Sequence, residues 1–177
     1  VILITLKKIF GKNIENNLKI LIITQYFWPE NFRVNELAEE LVGLGHKVKI
    51  LTGYPNYPKG EIYPDFINFK SKFNNYKGSK VVRVPIIPRK KNKIFLMLNY
   101  GSFLFSSIFF GYLKLRKEKF DIIFTFQLSP VTIGITSTFF SFIKKCPNIF
   151  WILDLWPDTL VGLGIIKKNW QIKIFKY

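Results

Sequence analysis

Short apolar runs, separated by amphipathic stretches, mark the chain from residue 18 onward. Five such runs, rich in β-branched side chains, are typical of strands buried on both faces of a parallel sheet. They cover residues 18–24, 47–52, 80–84, 121–126 and 148–153. Helical patterns lie between most of these runs. The alternation predicts an α/β fold, with a Rossmann-like doubly wound parallel sheet over residues 18–177.

Three helices are predicted between the strands. The first begins after a candidate N-cap, Asn31, and ends near Gly43 and Gly45. Its apolar positions repeat at helical spacing: Val34, Leu37, Ala38, Leu41 and Val42. The other two cover residues 94–113 and 129–144. Residues 1–17 precede the first strand, and we interpret them as a short amphipathic, basic lead-in.

The helix over residues 94–113 contains twenty residues without a charge, which is long enough to span a bilayer. Spanning would interrupt the connection between the third and fourth strands. We therefore expect a helix that packs on the sheet and lies partly at a membrane interface. From Lys80 to Phe120 the chain has ten basic residues and one acidic residue, Glu118. Flanking cations of this kind favour an anionic lipid surface.

The whole chain carries a formal charge of +16, from 27 Lys+Arg against 11 Asp+Glu. A charge of this size is typical of proteins that bind nucleic acid, a membrane surface or a phosphorylated ligand. However, 23 of the 27 basic residues are Lys, and residues with AT-rich codons make up half of the chain. Genome composition is thus an equally good explanation for part of the excess. Scarce Arg and the lack of a recognised binding motif argue against nucleic acid.

The composition and the missing motifs also exclude several kinds of functional site. A single cysteine, Cys146, excludes a disulfide framework, and a single histidine excludes a three-histidine zinc site. That histidine, His46, precedes the second strand at the edge opposite the expected ligand crevice, so we interpret it as structural. The glycine-rich dinucleotide fingerprint, the phosphate loop of NTPases and the nucleophile elbow of hydrolases are all missing from the sequence. No metal or cofactor site is predicted.

The loops after the strands hold the candidate chemistry. Eight of the nine prolines come just after a predicted strand, where open parallel sheets bind ligands. The first loop combines three aromatic residues with Glu30, Asn31 and Arg33, a set that suits a sugar ring and an anion at a helix N-terminus. The long second loop, residues 53–65, carries Asn56 and Tyr57. Each pattern is also typical of a structural cap or turn.

The fifth strand ends at Asp154, which is expected at the strand tip facing the crevice. Its carboxylate would accept hydrogen bonds from a substrate hydroxyl or act as a base. A cap for the following segment is the structural alternative.

Several motifs occur together in a fixed order. They are KILIITQYFWPEN from residue 19, RVNELA from residue 33, G-H-x-V from residue 45, LTGYPNYPKG from residue 51, N-Y-x-S-F from residue 99, S-P at residue 129 and DLWPD from residue 154. The pattern resembles the N-terminal half of bacterial family 4 glycosyltransferases, in the branch acting in O-antigen, capsule and colanic acid synthesis. The PNYP-x-G and DLWP elements are distinctive, whereas G-H-x-V is common.

The resemblance implies a retaining enzyme of the GT-B fold, with two Rossmann-like lobes facing a cleft. The chain would be the N-terminal lobe, which mostly binds the acceptor. Carried over residue by residue, Glu30, Asn31, Arg33, Asn56 and Tyr57 would bind the acceptor. The second lobe would bind a nucleotide-sugar without a metal or further cofactor.

Asp154 lies where related enzymes place a polar residue near the transferred sugar, and it is the predicted catalytic residue. The donor lobe expected from the family is missing from the 177 residues, so we expect this chain alone to be inactive, as a truncated chain. The expected partners are a lipid-linked sugar acceptor and the cytoplasmic face of the inner membrane, where the protein would be peripheral.

Two other hypotheses stay open. The chain is alternatively a non-catalytic, membrane-docking half of a two-chain glycosyltransferase, with a separate chain supplying the donor lobe. The third hypothesis is a charge-driven nucleic-acid-binding domain, which the scarce Arg disfavours.

Overall fold

A computed structural model describes residues 17–128 and 131–153 of the chain. Almost all of the lead-in predicted over residues 1–17, the candidate catalytic Asp154 and the segment that follows it lie outside the described residues.

One six-stranded sheet forms the centre of the described structure, in the order β3-β4-β2-β1-β5-β6. Its strands are β1 (Lys19–Ile23), β2 (Lys47–Gly53), β3 (Asn75–Tyr76), β4 (Ser79–Val84), β5 (Ile122–Gln127) and β6 (Asn148–Ile152). Every neighbouring pair is parallel except β3 with β4. The predicted Rossmann-like α/β fold is confirmed, with all five predicted strands in place.

The antiparallel strand β3 was not predicted. Lys77 and Gly78, with φ of 42° and 87°, form the turn between β3 and β4. Two consecutive residues at positive φ are typical of the tight turns that join hairpin strands. A strand of two residues has no repeating pattern, so the sequence gives no periodic signal for it.

The helices are α1 (Arg33–Gly43), α2 (Pro64–Asn68), α3 (Lys93–Ser106), α4 (Tyr112–Leu115) and α5 (Ile133–Lys144). A π-helical turn, Ser107–Gly111, joins α3 to α4, so that Lys93–Leu115 is one long helix. A 3₁₀ helix, Lys70–Asn74, follows α2.

Two sequence predictions about helix boundaries are wrong. The N-cap of α1 is Phe32, whose side chain makes no capping bond, and not Asn31. Instead, Asn35 in the first turn accepts from the Trp28 N–H and donates to the Glu30 carbonyl. The loop predicted over residues 53–65 is also shorter, because α2 begins at Pro64, a residue suited to a first helical turn.

Two apolar clusters cover the two faces of the sheet. On one face, Val34, Leu37 and Leu41 of α1 pack on strand residues such as Ile22 and Ile50. On the other face, the long helix contributes Phe103 and Leu115, and α5 contributes Ile133 and Phe140. These side chains cluster with Leu21, Ile23, Leu51 and Ile123 of the sheet. The prediction of a core helix over 94–113 is thus confirmed for one of its sides.

The opposite side of the long helix faces outward. Met97, Phe105 and Phe109 are 73%, 75% and 62% exposed. By length and composition the helix could cross a membrane. Within its most apolar stretch of 18 residues, 28% is buried in the folded domain. The helix connects β4 to β5 along the chain and packs on the sheet. We therefore treat it as part of the folded domain.

Candidate functional site

Three side-chain amides form a hydrogen-bonded group at the carboxyl edge of the sheet. Gln25 follows β1, Asn56 follows β2, and Asn99 lies on α3. Gln25 Nε2 donates to Asn99 Oδ1 at 2.7 Å, and Asn99 Nδ2 donates to Asn56 Oδ1 at 3.4 Å. All three are at most 4% exposed. Since buried polar groups need partners, this amide group fixes the two loops against the long helix.

The loop after β4 joins the same amide group through its backbone. Asn99 Nδ2 donates to the Ile87 carbonyl at 2.6 Å, and the Arg89 N–H donates to Asn56 Oδ1 at 3.2 Å. Ser102 Oγ accepts from the Ile87 N–H at 2.9 Å. Three loops and one helix therefore converge on Asn56 and Asn99.

Glu30 joins the first two loops by a buried carboxylate. Its Oε1 accepts from the backbone N–H of Asn56 at 2.8 Å and of Tyr57 at 2.7 Å, and its Oε2 accepts from that of Phe27 at 3.1 Å. The side chain is 2% exposed. Burial raises the pKa of Glu30 to about 7, because desolvation outweighs these three hydrogen bonds and the nearby Arg83.

Arg83, on β4, is a buried cation that acts on the Glu30 carboxylate. It is 4% exposed and donates to the carbonyls of Trp28, Gly53 at 3.0 Å and Phe73 at 3.4 Å. Burial lowers the pKa of Arg83 to about 10, while Glu30 opposes that shift. Arg83 therefore stays charged at neutral pH and joins the first loop, the end of β2 and the 3₁₀ helix through these carbonyls.

An aromatic cluster, defined by Tyr26, Phe32 and Tyr57, lies beside these groups. Its ring centroids are 5.3 to 5.6 Å apart. Tyr57 is 36% exposed, and the Arg89 guanidinium lies 5.1 Å from its ring centroid. Burial raises the pKa of Tyr26, although a hydrogen bond with Arg89 opposes the shift. An exposed ring beside a cation can contact a sugar and a phosphate together.

The structure brings together three of the five predicted acceptor-binding residues. Glu30, Asn56 and Tyr57 are joined by the hydrogen bonds given above, and Tyr57 is the exposed member. Asn31 and Arg33 lie at the start of α1, exposed to solvent. Glu30 and Asn56 are buried, so here they hold the loops, and the accessible members are Asn31, Arg33 and Tyr57. The acceptor-binding role of all five stays a prediction.

Four residues of this site were missed by the sequence analysis: Gln25, Arg83, Arg89 and Asn99. Asn99 belongs to one of the motifs that carried the family resemblance, but no chemistry was assigned to it. Arg89 was counted only as a charge flanking the apolar helix. A buried arginine such as Arg83 has no local signal, since its partners lie 10, 30 and 55 residues away along the chain.

The part of the chain that the structure describes contains no candidate metal site. There, no group of three or more His, Cys, Asp or Glu side chains is arranged to hold an ion. The polar side chains described above for the site are amides, hydroxyls, the Glu30 carboxylate and the guanidinium groups of Arg33, Arg83 and Arg89.

Comparisons with known proteins point to one class of enzyme. A protein described as "Putative colanic acid biosynthesis glycosyl transferase WcaI", from Escherichia coli (strain K12), is 26% identical over 165 residues. The match covers 86% of this chain and 38% of the relative. No family model matches the chain.

A solved structure has a similar fold. The crystal structure of the glycotransferase of kitacinnamycin aligns with a TM-score of 0.54 at 13% identity, over 85% of this chain and 34% of that one. The chain thus spans just over a third of the length of each protein. The resemblance to the N-terminal part of a family 4-like glycosyltransferase is therefore confirmed by a sequence relative, and its Rossmann-like α/β fold by a solved glycosyltransferase.

Proposed function

We propose that the chain is the acceptor-binding lobe of a retaining glycosyltransferase that works in surface polysaccharide synthesis, on capsule, O-antigen or related polymers. The similarity to a glycosyl transferase of colanic acid biosynthesis supports this function. The position of the candidate site supports it too, because parallel sheets bind ligands at the carboxyl ends of their strands.

One observation carries the proposal. Hydrogen bonds join three loops and a helix around Asn56 and Asn99, and Tyr57 and Arg89 lie together at the outer side of this arrangement. A rigid arrangement of this kind lowers the entropy lost when a ligand binds. The exposed Tyr57 ring is suited to a sugar ring of the acceptor. Arg89, Asn31 and Arg33 supply donors for its hydroxyl and phosphate oxygens.

The reaction would need a second lobe that binds the nucleotide-sugar donor, and Asp154 would be the catalytic residue supplied by this chain. No metal or cofactor is proposed for the step. The lobe would bind its acceptor but would be inactive without a donor lobe.

The acceptor would be lipid-linked, and the protein peripheral on the cytoplasmic face of the inner membrane. The outward side of the long helix supports this, with Met97, Phe105 and Phe109 all more than 60% exposed. Basic residues flank both ends of the helix, which favours anionic headgroups. A helix that lies on the surface keeps its other side on the sheet.

A fusion tests the proposal. The donor lobe of a related glycosyltransferase is joined after residue 177, and transfer from a nucleotide-sugar to a lipid-linked sugar is measured. We expect activity in the fusion, with Tyr57→Ala raising the acceptor KM about tenfold. Phe69→Ala, which removes another exposed ring, is the control and should leave both constants within about twofold.

Asp154→Ala in the same fusion should remove most of the kcat. Full activity in that variant would contradict the role of Asp154, and equal acceptor KM values in the two aromatic variants would contradict the acceptor site. Activity restored by a separate donor-lobe chain, added in trans, would favour the two-chain alternative.

A further inference from the structure

A basic cavity lies at the edge of the sheet where β1, β2 and β4 begin, opposite the candidate acceptor site. Its volume is about 630 Å³. Six lysines line it: Lys19, Lys47, Lys49, Lys80, Lys117 and Lys119. They come from four segments of the chain, namely the starts of three strands and the connection from α4 to β5.

Most of the charge in this basic cavity is not neutralised by the described residues. The carboxylate that lines it, Glu118, is paired with Lys49 at 2.5 Å. Asp121 lies nearby, and its carboxylate, which accepts from the backbone N–H of Lys19 at 2.7 Å, offsets a second positive charge. Across the described part of the chain, the other ion pair is Lys77 with Glu39, and Lys77 is the neighbour of the cavity-lining Gly78.

A buried histidine forms part of the wall of the basic cavity. His46 borders the basic cavity and is 7% exposed. Its Nδ1 is buried and has no hydrogen-bond partner among the described residues. This nitrogen is closed to solvent, so a ligand in the cavity would contact the lysines and not the His46 Nδ1.

The positive charges of the lysines give the cavity a preference for anions. Several ammonium groups around one concave surface raise the local positive potential, and the low-dielectric walls focus it. The lysines converge on this one cavity from four segments of the chain, which concentrates their charge there.

We propose that the basic cavity binds an anion with at least two phosphate charges. The phosphates would come either from a soluble diphosphate or from the headgroups of anionic lipids, which share this chemistry. The site is separate from the acceptor site, because the two lie at opposite ends of the same strands. It therefore stands whether or not the proposed transferase activity is correct.

Binding of inorganic pyrophosphate to the 177-residue chain, measured by calorimetry, tests the soluble source. Co-sedimentation with phosphatidylglycerol–phosphatidylcholine vesicles tests the lipid source. Lys47→Gln with Lys80→Gln removes two cavity charges. Lys72→Gln with Lys145→Gln removes two exposed charges that do not line the cavity. Circular dichroism checks that both double variants fold.

We expect the cavity variant to lose affinity about tenfold for one of the two probes, with the control variant within about twofold of the parent chain. Selective loss for pyrophosphate identifies a soluble ligand, and selective loss for vesicles identifies lipid headgroups. Equal losses in both double variants would show unspecific attraction by the net charge. That result, or unchanged affinity in the cavity variant, would overturn the proposal.

Discussion

Two buried charges, Glu30 and Arg83, decide how the loops of the candidate site are held. Glu30 accepts three backbone N–H groups from two loops, and Arg83 donates to three carbonyls from three segments. Neither side chain is hydrogen-bonded to another side chain among the described residues, although the Arg83 guanidinium lies 5.4 Å from the Phe66 ring centroid. Their partners are backbone groups, so the shape of the loops depends on these two residues more than on the loop residues themselves.

The raised pKa of Glu30 predicts a pH-dependent stability. An acid whose folded-state pKa, about 7, exceeds its ordinary 4.5 favours folding most when it is protonated. Its contribution is complete below pH 4.5 and is lost as the pH rises through 7. Between pH 5 and 8 we expect the free energy of unfolding to fall by about 2 kcal/mol from this group.

Urea unfolding at both pH values, on the parent chain and Glu30→Gln, measures this effect. In Glu30→Gln, the free energy of unfolding should not show the part of this decrease that comes from Glu30. Glu40→Gln, an exposed change on α1, should show the full decrease. Parallel pH profiles for the parent chain and Glu30→Gln would contradict the assignment.

Arg83→Met should destabilise the fold by about 3 kcal/mol, because it leaves three buried carbonyls without donors and Glu30 without its nearby cation. The denaturation midpoint should fall with an unchanged slope against denaturant. Arg116→Met, at an exposed position, should change stability by less than about 0.5 kcal/mol. A loss as small for Arg83→Met as for Arg116→Met would show that the carbonyls find other donors.

At the scale of elements, the long helix Lys93–Leu115 connects the candidate site to the core. Asn99 at its first half belongs to the amide group, and Leu115 at its end is fully buried. The π-helical turn lies between them and places Gly111 against the sheet. A Cβ at Gly111 would come within 3.1 Å of Leu51 and 3.3 Å of Phe140.

Two glycines of this helix should respond differently to the same change. Gly101→Ala meets nothing within 4 Å and should stabilise the fold by about 0.5–1 kcal/mol, because Ala loses less backbone entropy in a helix. Gly111→Ala gains the same propensity but pushes Leu51 and Phe140. We expect it to be less stable than Gly101→Ala by at least about 1 kcal/mol. Thermal or urea unfolding measures both, and equal stabilities would mean that the core yields at this point.

At the scale of the whole molecule, charge and apolar surface are arranged around the same helix. The chain carries +16 overall, and its outward helix side combines exposed aromatic rings with basic residues at both ends. Ile87 and α5 add further exposed apolar side chains, including Ile135 at 55% and Phe142 at 81%. This arrangement supports the proposed docking on an anionic membrane surface, where an apolar helix side and flanking cations act together.

Flotation with anionic liposomes checks the membrane proposal. Phe105→Ser with Phe109→Ser should weaken binding at least about tenfold, because the two rings would lose their burial in the interface. Ile67→Ser with Phe69→Ser removes exposed apolar groups elsewhere and should leave binding nearly unchanged. Absence of flotation by the parent chain at low salt would rule out membrane docking.

Local patterns were sufficient for most of the fold and for part of the candidate site. The β-branched runs placed five strands, and helical spacing placed α1 and the long helix, because both depend on burial of one or two faces. The predicted N-cap of α1 was wrong, because the side chain of Asn35, and not that of Asn31, makes the hydrogen bonds to the preceding loop. Tyr57 and Asn56 were predicted from their loop, whereas Asn99 needed the contact across 43 residues to Asn56.

The order of residues by itself determined the class of this protein: the parallel sheet, the edge that carries polar loops, and the likeness to a glycosyltransferase. Each depends on periodicity or on motifs, which are local properties. Only the tertiary structure decided which polar residues are buried supports and which are accessible. Glu30 was predicted to bind the acceptor, which stays a prediction, and the structure adds that it is buried and accepts from three backbone N–H groups of the loops. The basic cavity was likewise invisible along the chain, because its lysines meet only when the starts of three strands come together.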